Sequence, residues 1–445
     1  MSNQPLYIGI DVGGTKISAG LVNSRGKVLA RYKHKSPRSK DPRDLISALS
    51  DIIDELLTEN SLSARDLKGI GLGVPGLLDK DRQRILASPN MNTAGLDLVP
   101  ILKKRFKVKV AADNDVNVGV LGECWMGASK GAKDVVGIFP GTGLGGGIVT
   151  NGNLYIGAHG SAAEIGHTIL DPEGPLCTCG NRGCLEAVAS RWAIERDIRA
   201  AVKRGRKTLL AKLSKTGFKV IKSGVLAKAI KARDPLTMEI MKRVSINIGH
   251  ACVSARHFLD PEVIVLGGGI IEACGDFMMP IIRKVFVSDK YFPKKGCRLA
   301  ISSLGDDAII LGAAALVREA DEGRSKYPRI IHARSGSVRI GGRTFSGNVF
   351  VRADSKVKKL DQGLSRVING ASHKVDAKAL RKICKKKPDI LVIGTGRSGC
   401  LKLAPSAEVF LKKQKVDYKV LPTPKAVKFY NGTKKRKAIL LHLAC

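Results

Sequence analysis

The chain reads as an α/β protein of two domains, the larger one two-lobed, and three observations predict this. The stretches LYIGIDVGGTKISAGLV (residues 6–22) and VVGIFPGTGLGGGIV (135–149) each set a glycine turn between two apolar runs. That is a strand–turn–strand unit used twice, as expected of a duplicated fold whose lobes close on a shared ligand. Beyond residue 328 the pattern changes to short apolar runs alternating with short helical ones: DAKALRKICKKK, DILVIGTG, SAEVFLKKQ, DYKVL, PKAVKFYN and KAILLHLAC. Strands joined by helices imply a small parallel sheet. A length of 445 residues also exceeds what one compact core accommodates.

In the first unit, Asp11 ends the opening apolar run. Gly13, Gly14 and Thr15, followed by Lys16, form a turn whose backbone N–H groups can wrap phosphate oxygens. Asp41 and Pro42 then start a helix with Leu45, Leu49, Ile52, Ile53 and Leu56 at core spacing. Residues 70–79, IGLGVPGLLD, read as strand and turn, and SPNMN follows around Asn90. Residues 108–127 run as a strand into Asp113, Asn114 and Asp115, then a helix. A carboxylate at a helix N-terminus feels the positive end of the peptide dipoles, which favours its ionised form. Asp115 is therefore either a proton acceptor or a helix cap. Gly141, Thr142 and Gly143 make the second phosphate turn.

The segment EIGHTILDPEGPLCTCGNRGCLE (164–186) carries the densest chemistry. His167, Cys177, Cys179 and Cys184 offer one imidazole and three thiols, the ligand set of a closed, structural zinc site; three unrelated buried cysteines are the alternative. Pro175, Gly180 and Gly183 turn the chain between the sulfurs, so the loop needs a metal to hold its shape. Glu164 and Glu186 flank it as acceptors that can grip a polyol. From Arg196 to Arg243 the chain is helical and lysine-rich and carries no catalytic signal. Gly267, Gly268 and Gly269 after a buried strand let backbone approach a flat ring, and the Ala-rich stretch 306–320, with Gly312, suits close helix packing.

The net charge is +37. Residues 328–445 hold 28 Lys and Arg against 6 Asp and Glu, so this quarter of the chain is the more basic part by a wide margin. Such a field attracts nucleic acid, polyphosphate or acidic membranes. Few aromatics are present for stacking, and simply solvated lysines are the competing reading. No apolar run reaches membrane-span length and no secretory signal is visible at the N-terminus. Ten cysteines without regular pairing suit a reducing, cytoplasmic compartment.

The EIGH and CxCGxxGCxE series, the two hairpins and the NDxN motif at 114–117 together resemble the ROK family of repressors and sugar kinases, over about residues 6–322. The pieces VIGTGRSG, TPKAVKFYN and LLHLAC resemble the Mth938-like family. These resemblances imply residues 1–325 as a sugar kinase domain of actin-like ATPase (ribonuclease H-like) fold, and residues 328–445 as a small α/β domain. They imply an ATP-dependent hexose kinase acting at the 6-hydroxyl, with Asp115 as general base and magnesium near Asp11. Asn90, Asn114, Glu164, His167 and Glu186 would hold the sugar. The Gly13–Lys16 and Gly141–Gly143 turns would hold phosphates, and Gly267–Gly269 would face adenosine. The zinc loop would shape the sugar pocket, and a homo-oligomer is expected.

Two departures stand out: Ala163 replaces a usual glycine before Glu164, and no aromatic follows Asn90 in 93–96. The sugar stays open among glucose, N-acetylglucosamine, N-acetylmannosamine and fructose. Alternatives are a sugar-binding regulator without catalysis, with nucleic acid bound by the basic tail, and a polyphosphate-dependent kinase. The first strand at Leu6 leaves no room for a preceding DNA-binding helix-turn-helix, and the intact cysteine loop speaks for a nucleotide donor. In the second domain, the Gly394–Gly399 turn is either an anion loop or a plain tight turn.

Overall fold

The computed structural model describes residues 4–443 apart from 38, 40, 89–90, 215–217, 219, 292–295, 323–326, 329, 335, 341–342, 361–372, 397–398 and 434. Asn90 and two residues of the Gly394–Gly399 turn lie outside the described residues. The chain divides into two units, Met1–Ala320 and Asp321–Cys445.

The first unit opens with a meander, β1 (Leu6–Val12), β2 (Lys16–Asn23) and β3 (Val28–Lys35), then α1 (Arg43–Glu59) and β4 (Leu67–Val74). A minor hairpin, β5 (Leu77–Leu78) and β6 (Ile85–Ala87), precedes α2 (Leu98–Phe106) and β7 (Lys109–Asn114). The five main strands form one sheet in the order β3-β2-β1-β4-β7, the last two parallel to β1. Helix α1 begins one residue later than expected, but Asp41 Oδ1 still accepts the Arg43 N–H at 2.8 Å. Its predicted apolar face, Leu45 to Leu56, is buried on this sheet.

Helix α3 (Asp115–Trp125) leaves the first sheet, and the pattern then repeats with β8 (Val135–Pro140), β9 (Leu144–Thr150) and β10 (Asn153–Leu154). Next come α4 (Leu185–Ala189), α5 (Arg191–Lys203), α6 (Leu210–Leu213), α7 (Ser223–Lys231) and α8 (Pro235–Leu259). The lobe closes with β11 (Val263–Leu266), α9 (Gly269–Val287), β12 (Arg298–Ile301) and α10 (Asp307–Glu322). The second sheet runs β10-β9-β8-β11-β12. Counted within each lobe, both sheets have the order third-second-first-fourth-fifth, so the doubled hairpins belong to a doubled topology.

Helices α3 and α10 cross backbone to backbone. A Cβ placed on Gly312 would lie 1.7 Å from the Val118 carbonyl oxygen, and one on Gly122 would lie 2.1 Å from that of Ala308. Only glycine allows this approach. Next to the crossing, the fully buried Glu123 accepts from Ala128 N at 2.7 Å, Ser302 Oγ at 2.7 Å, Ser303 N at 3.1 Å and Leu304 N at 3.0 Å. One carboxylate thus pins the end of α3 to the segment entering α10, which fixes where the start of α3 points.

The second unit begins with an antiparallel sheet of β13 (Ile330–Arg334), β14 (Ser337–Ile340) and β15 (Arg343–Ser346). It continues through β16 (Val349–Val351), β17 (Val357–Lys359), β18 (His373–Val375) and α11 (Ala377–Ile383). Then follow β19 (Ile390–Gly394), β20 (Leu401–Leu403), α12 (Pro405–Gln414), β21 (Asp417–Leu421), α13 (Thr423–Gly432) and β22 (Lys437–Leu441). The three apolar strands expected to be parallel are so: β19 lies between β21 and β22, parallel to both. Antiparallel β16 and β17 extend this sheet to five strands. Among the described residues no helix is long and apolar enough to cross a membrane.

Candidate active site

The start of α3 is the centre of the site. Asn114 caps the helix: its Oδ1 accepts the N–H groups of Val116 at 2.9 Å and Asn117 at 3.3 Å, and its Nδ2 donates to Gly76 O at 3.2 Å. Capping therefore falls to Asn114, and Asp115 occupies the first helical position with its carboxylate in a cavity of about 550 Å³. The helix N-terminus predicts a carboxyl that ionises readily, but the outcome is the opposite. Burial pushes Asp115 up to about 6, Glu164 adds repulsion, and the hydrogen bonds from Val116 and Asn114 only partly offset this. Desolvation outweighs the dipole because the carboxylate is enclosed by protein on the sides away from the cavity.

The same cavity is lined by Asn114, Glu164, His167, Glu186 and the Gly141–Gly143 turn. Glu164 is exposed to it, and Ala163 just before has φ +70°, the left-handed region that glycine prefers. Glu186 does more than face the cavity, since its Oε2 accepts the Leu144 N–H at 2.8 Å and its Oε1 lies 3.4 Å from Thr178 Oγ1. A Cβ at position 143 would stand 2.5 Å from Glu186 Oε2, so glycine there makes room for the carboxylate. The second turn is also fastened to the start of α5. Arg191 N donates to Gly141 O at 3.0 Å, Trp192 N donates to Thr142 O at 3.3 Å, and the Arg191 guanidinium donates to Thr142 Oγ1.

Asp11 and the first turn are not in the described lining of this cavity, although Asp11 is near enough to Asp115 for their charges to interact. Gly13 N–H donates to Lys16 O at 3.0 Å and Ser36 N–H to Thr15 O at 3.1 Å, so the turn is braced from within and by β3's end; Gly14 lies exposed between them. Lys16 Nζ lies 3.3 Å from Asp306. Asp11 is pushed up to about 6 by burial, then by the Asp115 charge, with Lys16 opposing and Asp306 adding to the rise. Adjacent carboxyls that repel one another at a half-enclosed site fit a divalent cation. Gly267, Gly268 and Gly269 are not part of the cavity lining; Gly267 packs on the ring of Phe139, and Gly268 caps α9.

His167, Cys177, Cys179 and Cys184 come together, their ligand atoms all within 4.8 Å of one another. The Cys179 and Cys184 sulfurs are 3.6 Å apart and Cys177 Sγ is 3.7 Å from His167 Nδ1. Bonds near 2.3 Å in a tetrahedron put two sulfurs about 3.8 Å apart, so the donor set fits a four-coordinate metal. The loop is braced by Cys177 N–H to Asn181 O at 2.8 Å and by Gly180 N–H to Cys177 O at 3.0 Å.

Three groups escaped the sequence reading. Arg82 lines the cavity, pairs with the buried Asp113 at 3.0 Å and donates to Gly160 O at 3.0 Å. Asp113 also accepts from Asn117 Nδ2 at 2.9 Å. Arg82 sits in the polar run DKDRQR, whose composition signals only a loop. Arg191 and Glu123 lie inside helical patterns; the one available signal was a glutamate on the apolar face of α3.

The ROK family profile matches residues 7–320, and a profile described as a protein of unknown function (DUF498/DUF598) matches residues 330–442. A glucokinase of Halalkalibacterium halodurans is 34% identical over 323 residues, which span 72% of this chain and 97% of that protein. A glucokinase of Thermotoga maritima is 36% identical over 315 residues, 70% of this chain and 97% of that protein. A xylose repressor of Bacillus spizizenii is 33% identical over 314 residues, 70% of this chain and 77% of that protein. Among solved structures, a ROK family glucokinase from Streptomyces griseus in complex with glucose and AMPPNP superposes with a TM-score of 0.60 at 29% identity, covering 71% of this chain and 99% of that one.

Proposed function

The chain belongs to the ROK family, and on that premise we propose that it is an ATP-dependent hexose kinase in which Asp115 is the general base. Its two lobes of identical strand order are the actin-like ATPase fold of the ROK sugar kinases. The observation that carries the proposal is Asp115 itself: a carboxylate that does not cap its helix, faces a cavity lined by polar groups, and titrates near 6. A base with that pKa is ionised at neutral pH yet still holds a proton well, which suits transient proton acceptance.

In this mechanism Glu164, Glu186, Asn114 and Asn90 hydrogen-bond the hydroxyls of the sugar and set its 6-hydroxyl against Asp115. Asp115 takes the proton as the sugar oxygen bonds to the γ-phosphorus and the bond from that phosphorus to the bridging oxygen of ADP breaks. The Gly13–Lys16 and Gly141–Gly143 turns orient the phosphates, Thr142 being held by Arg191. Gly267–Gly269 and the start of α9 are assigned to adenosine. Asp11 would hold the magnesium that comes with the nucleotide, which would supply positive charge to the phosphoryl oxygens. His167, Cys177, Cys179 and Cys184 would hold zinc in a structural role, which would fix the loop that carries His167 and leads to Glu186.

The test is ADP release over a panel of hexoses with ATP, for the natural chain and for Asp115→Asn. Turnover with at least one hexose, lowered about 10²- to 10⁴-fold in the variant while sugar still binds, is the expected result. Sugar binding without turnover in the natural chain would instead favour the regulator branch to which the xylose repressors belong.

A further inference from the structure

Arg82 lies in the wall of the cavity that holds Asp115, and its place there is set locally. Asp79 Oδ1 accepts the N–H groups of Gln83 at 2.6 Å and Arg84 at 3.0 Å, and Asp79 O accepts that of Arg82 at 3.0 Å, which closes the tip of the β5–β6 hairpin. The tip holds Arg82 at φ +58°, a left-handed conformation that glycine or asparagine adopts more readily. Turn formation therefore does not call for arginine, and the reason for it lies in what its side chain touches.

Those contacts run to both lobes. Arg82 Nε lies 3.0 Å from Asp113 Oδ2 at the end of β7 in the first lobe, whose core also takes in Leu78 and Ile85 of the hairpin. Arg82 Nη1 donates to Gly160 O at 3.0 Å, in the segment that follows β10 of the second lobe. Both side chains of the ion pair are largely enclosed, at 13% and 3% exposure. Burial raises the Asp113 carboxyl, and the Arg82 charge is the largest influence opposing that rise. Gly160 seats the hairpin tip closely, since a Cβ there would lie 3.3 Å from Arg82 Nη1 and 3.4 Å from Lys80 Cα. Four residues after Gly160 comes Glu164, in the same cavity wall.

Asp115 is held by other means. Asn114 caps α3, Asp113 Oδ1 accepts from Asn114 N at 2.7 Å and Asn117 Nδ2 at 2.9 Å, and Glu123 fastens the far end of the helix to Ser302–Leu304. Without Arg82 the base therefore keeps its place, while the segment leading to Glu164 loses its tie to the first lobe. We propose that Arg82 is a positioning residue for the sugar: anchored on Asp113, it holds the segment carrying Glu164 against the first lobe and so sets sugar affinity without taking part in proton transfer. This rests on the assignment of the cavity to a hexose. The competing role is plain neutralisation of a buried carboxylate, which lysine also performs. Only the planar fork of arginine engages two partners in different directions at once.

The test compares the full natural chain with Arg82→Lys, which keeps a charge for Asp113, and with Arg82→Met/Asp113→Asn, which removes the pair together and leaves no buried charge unmatched. Hexose affinity is read by calorimetry, and KM for sugar, KM for ATP and kcat by ADP release. Both variants are expected to bind sugar at least about tenfold more weakly and to raise its KM by a similar factor, with kcat at saturating sugar and KM for ATP within about threefold of the natural values. Natural sugar affinity in Arg82→Lys would reduce the arginine to a counter-charge and overturn the proposal. So would a double variant that loses sugar affinity, kcat and ATP affinity alike, which is the pattern of general structural damage. Calorimetry needs no turnover, so a natural chain that binds hexose without phosphorylating it sinks the kinase reading, while the same loss of affinity in the variants still supports this one. A natural chain that binds no hexose overturns both.

Discussion

Glu186 Oε2 accepts the backbone N–H of Leu144 at 2.8 Å, joining the first turn of the helix after the metal loop to the strand after the second glycine turn. A side chain expected only to touch sugar therefore also ties the strand after the second glycine turn to the helix that follows the cysteine loop. Glu186→Gln puts an amide N–H where one acceptor oxygen is needed or loses the charge-assisted bond. It is expected to lower stability by about 1–2 kcal/mol and to weaken sugar affinity. Denaturant midpoints and sugar calorimetry on the same protein check this, and a variant unchanged in both would mean that the bond contributes nothing.

Asp115 yields a prediction in pH. Its carboxyl is pushed up to about 6, so the base is ionised above that value, and kcat/KM should fall about tenfold per pH unit below it. The stability consequence has a defined sign. Between the unfolded value of 3.8 and about 6 the folded chain holds more protons, so stability declines as pH rises through this window. Above it, the ionised carboxylate costs at most about 3 kcal/mol. Asp115→Asn should therefore melt higher than the natural chain near pH 8, with the gap about halved near pH 5. A variant that melts lower at both pH values would show that the carboxylate is stabilising where it stands.

Metal removal should act on the cavity before it acts on the fold. Cys179 is the exposed cysteine of the candidate metal site, while Cys177 and Cys184 are buried. Cys179→Ser is expected to lose zinc and sugar binding together while the second unit stays folded. Elemental analysis of freshly purified protein should give one zinc per chain, and its absence would remove the metal from the account.

Ala163 is strained by its own backbone. At φ +70° an L-residue pays roughly 1–2 kcal/mol that glycine does not, part of which the greater freedom of glycine in the unfolded chain takes back. Ala163→Gly should gain up to about 1 kcal/mol and raise the melting temperature. Because Glu164 follows directly, KM for the sugar should change as well, whereas a change in neither would place the strain elsewhere.

The two units have separate cores, and the proposal that residues 328–445 are dispensable for phosphoryl transfer rests on this. A chain ending at Glu322 should retain its turnover with sugar and ATP. Lost activity in a shortened protein that is still folded would assign the tail a part in the site or in its control.

Much of this protein was legible without coordinates, because its signals are local. Four candidate metal ligands lie within eighteen residues, and spacing alone brings them near one another once glycines turn the chain. The hairpins, the α1 face and the strand–helix alternation after residue 328 likewise depend on neighbours a few positions away. What only the tertiary structure decided are relationships between distant segments: Arg82 on Asp113, Arg191 on Thr142, Glu123 on Ser302 to Leu304, and Gly312 against Val118. The Asp115 pKa belongs with these. Its position at a helix start is written in the sequence and predicts a lowered value, but the burial that raises it is produced by the surrounding chain. Desolvation depends on everything that closes over a group, and no short window of sequence contains that.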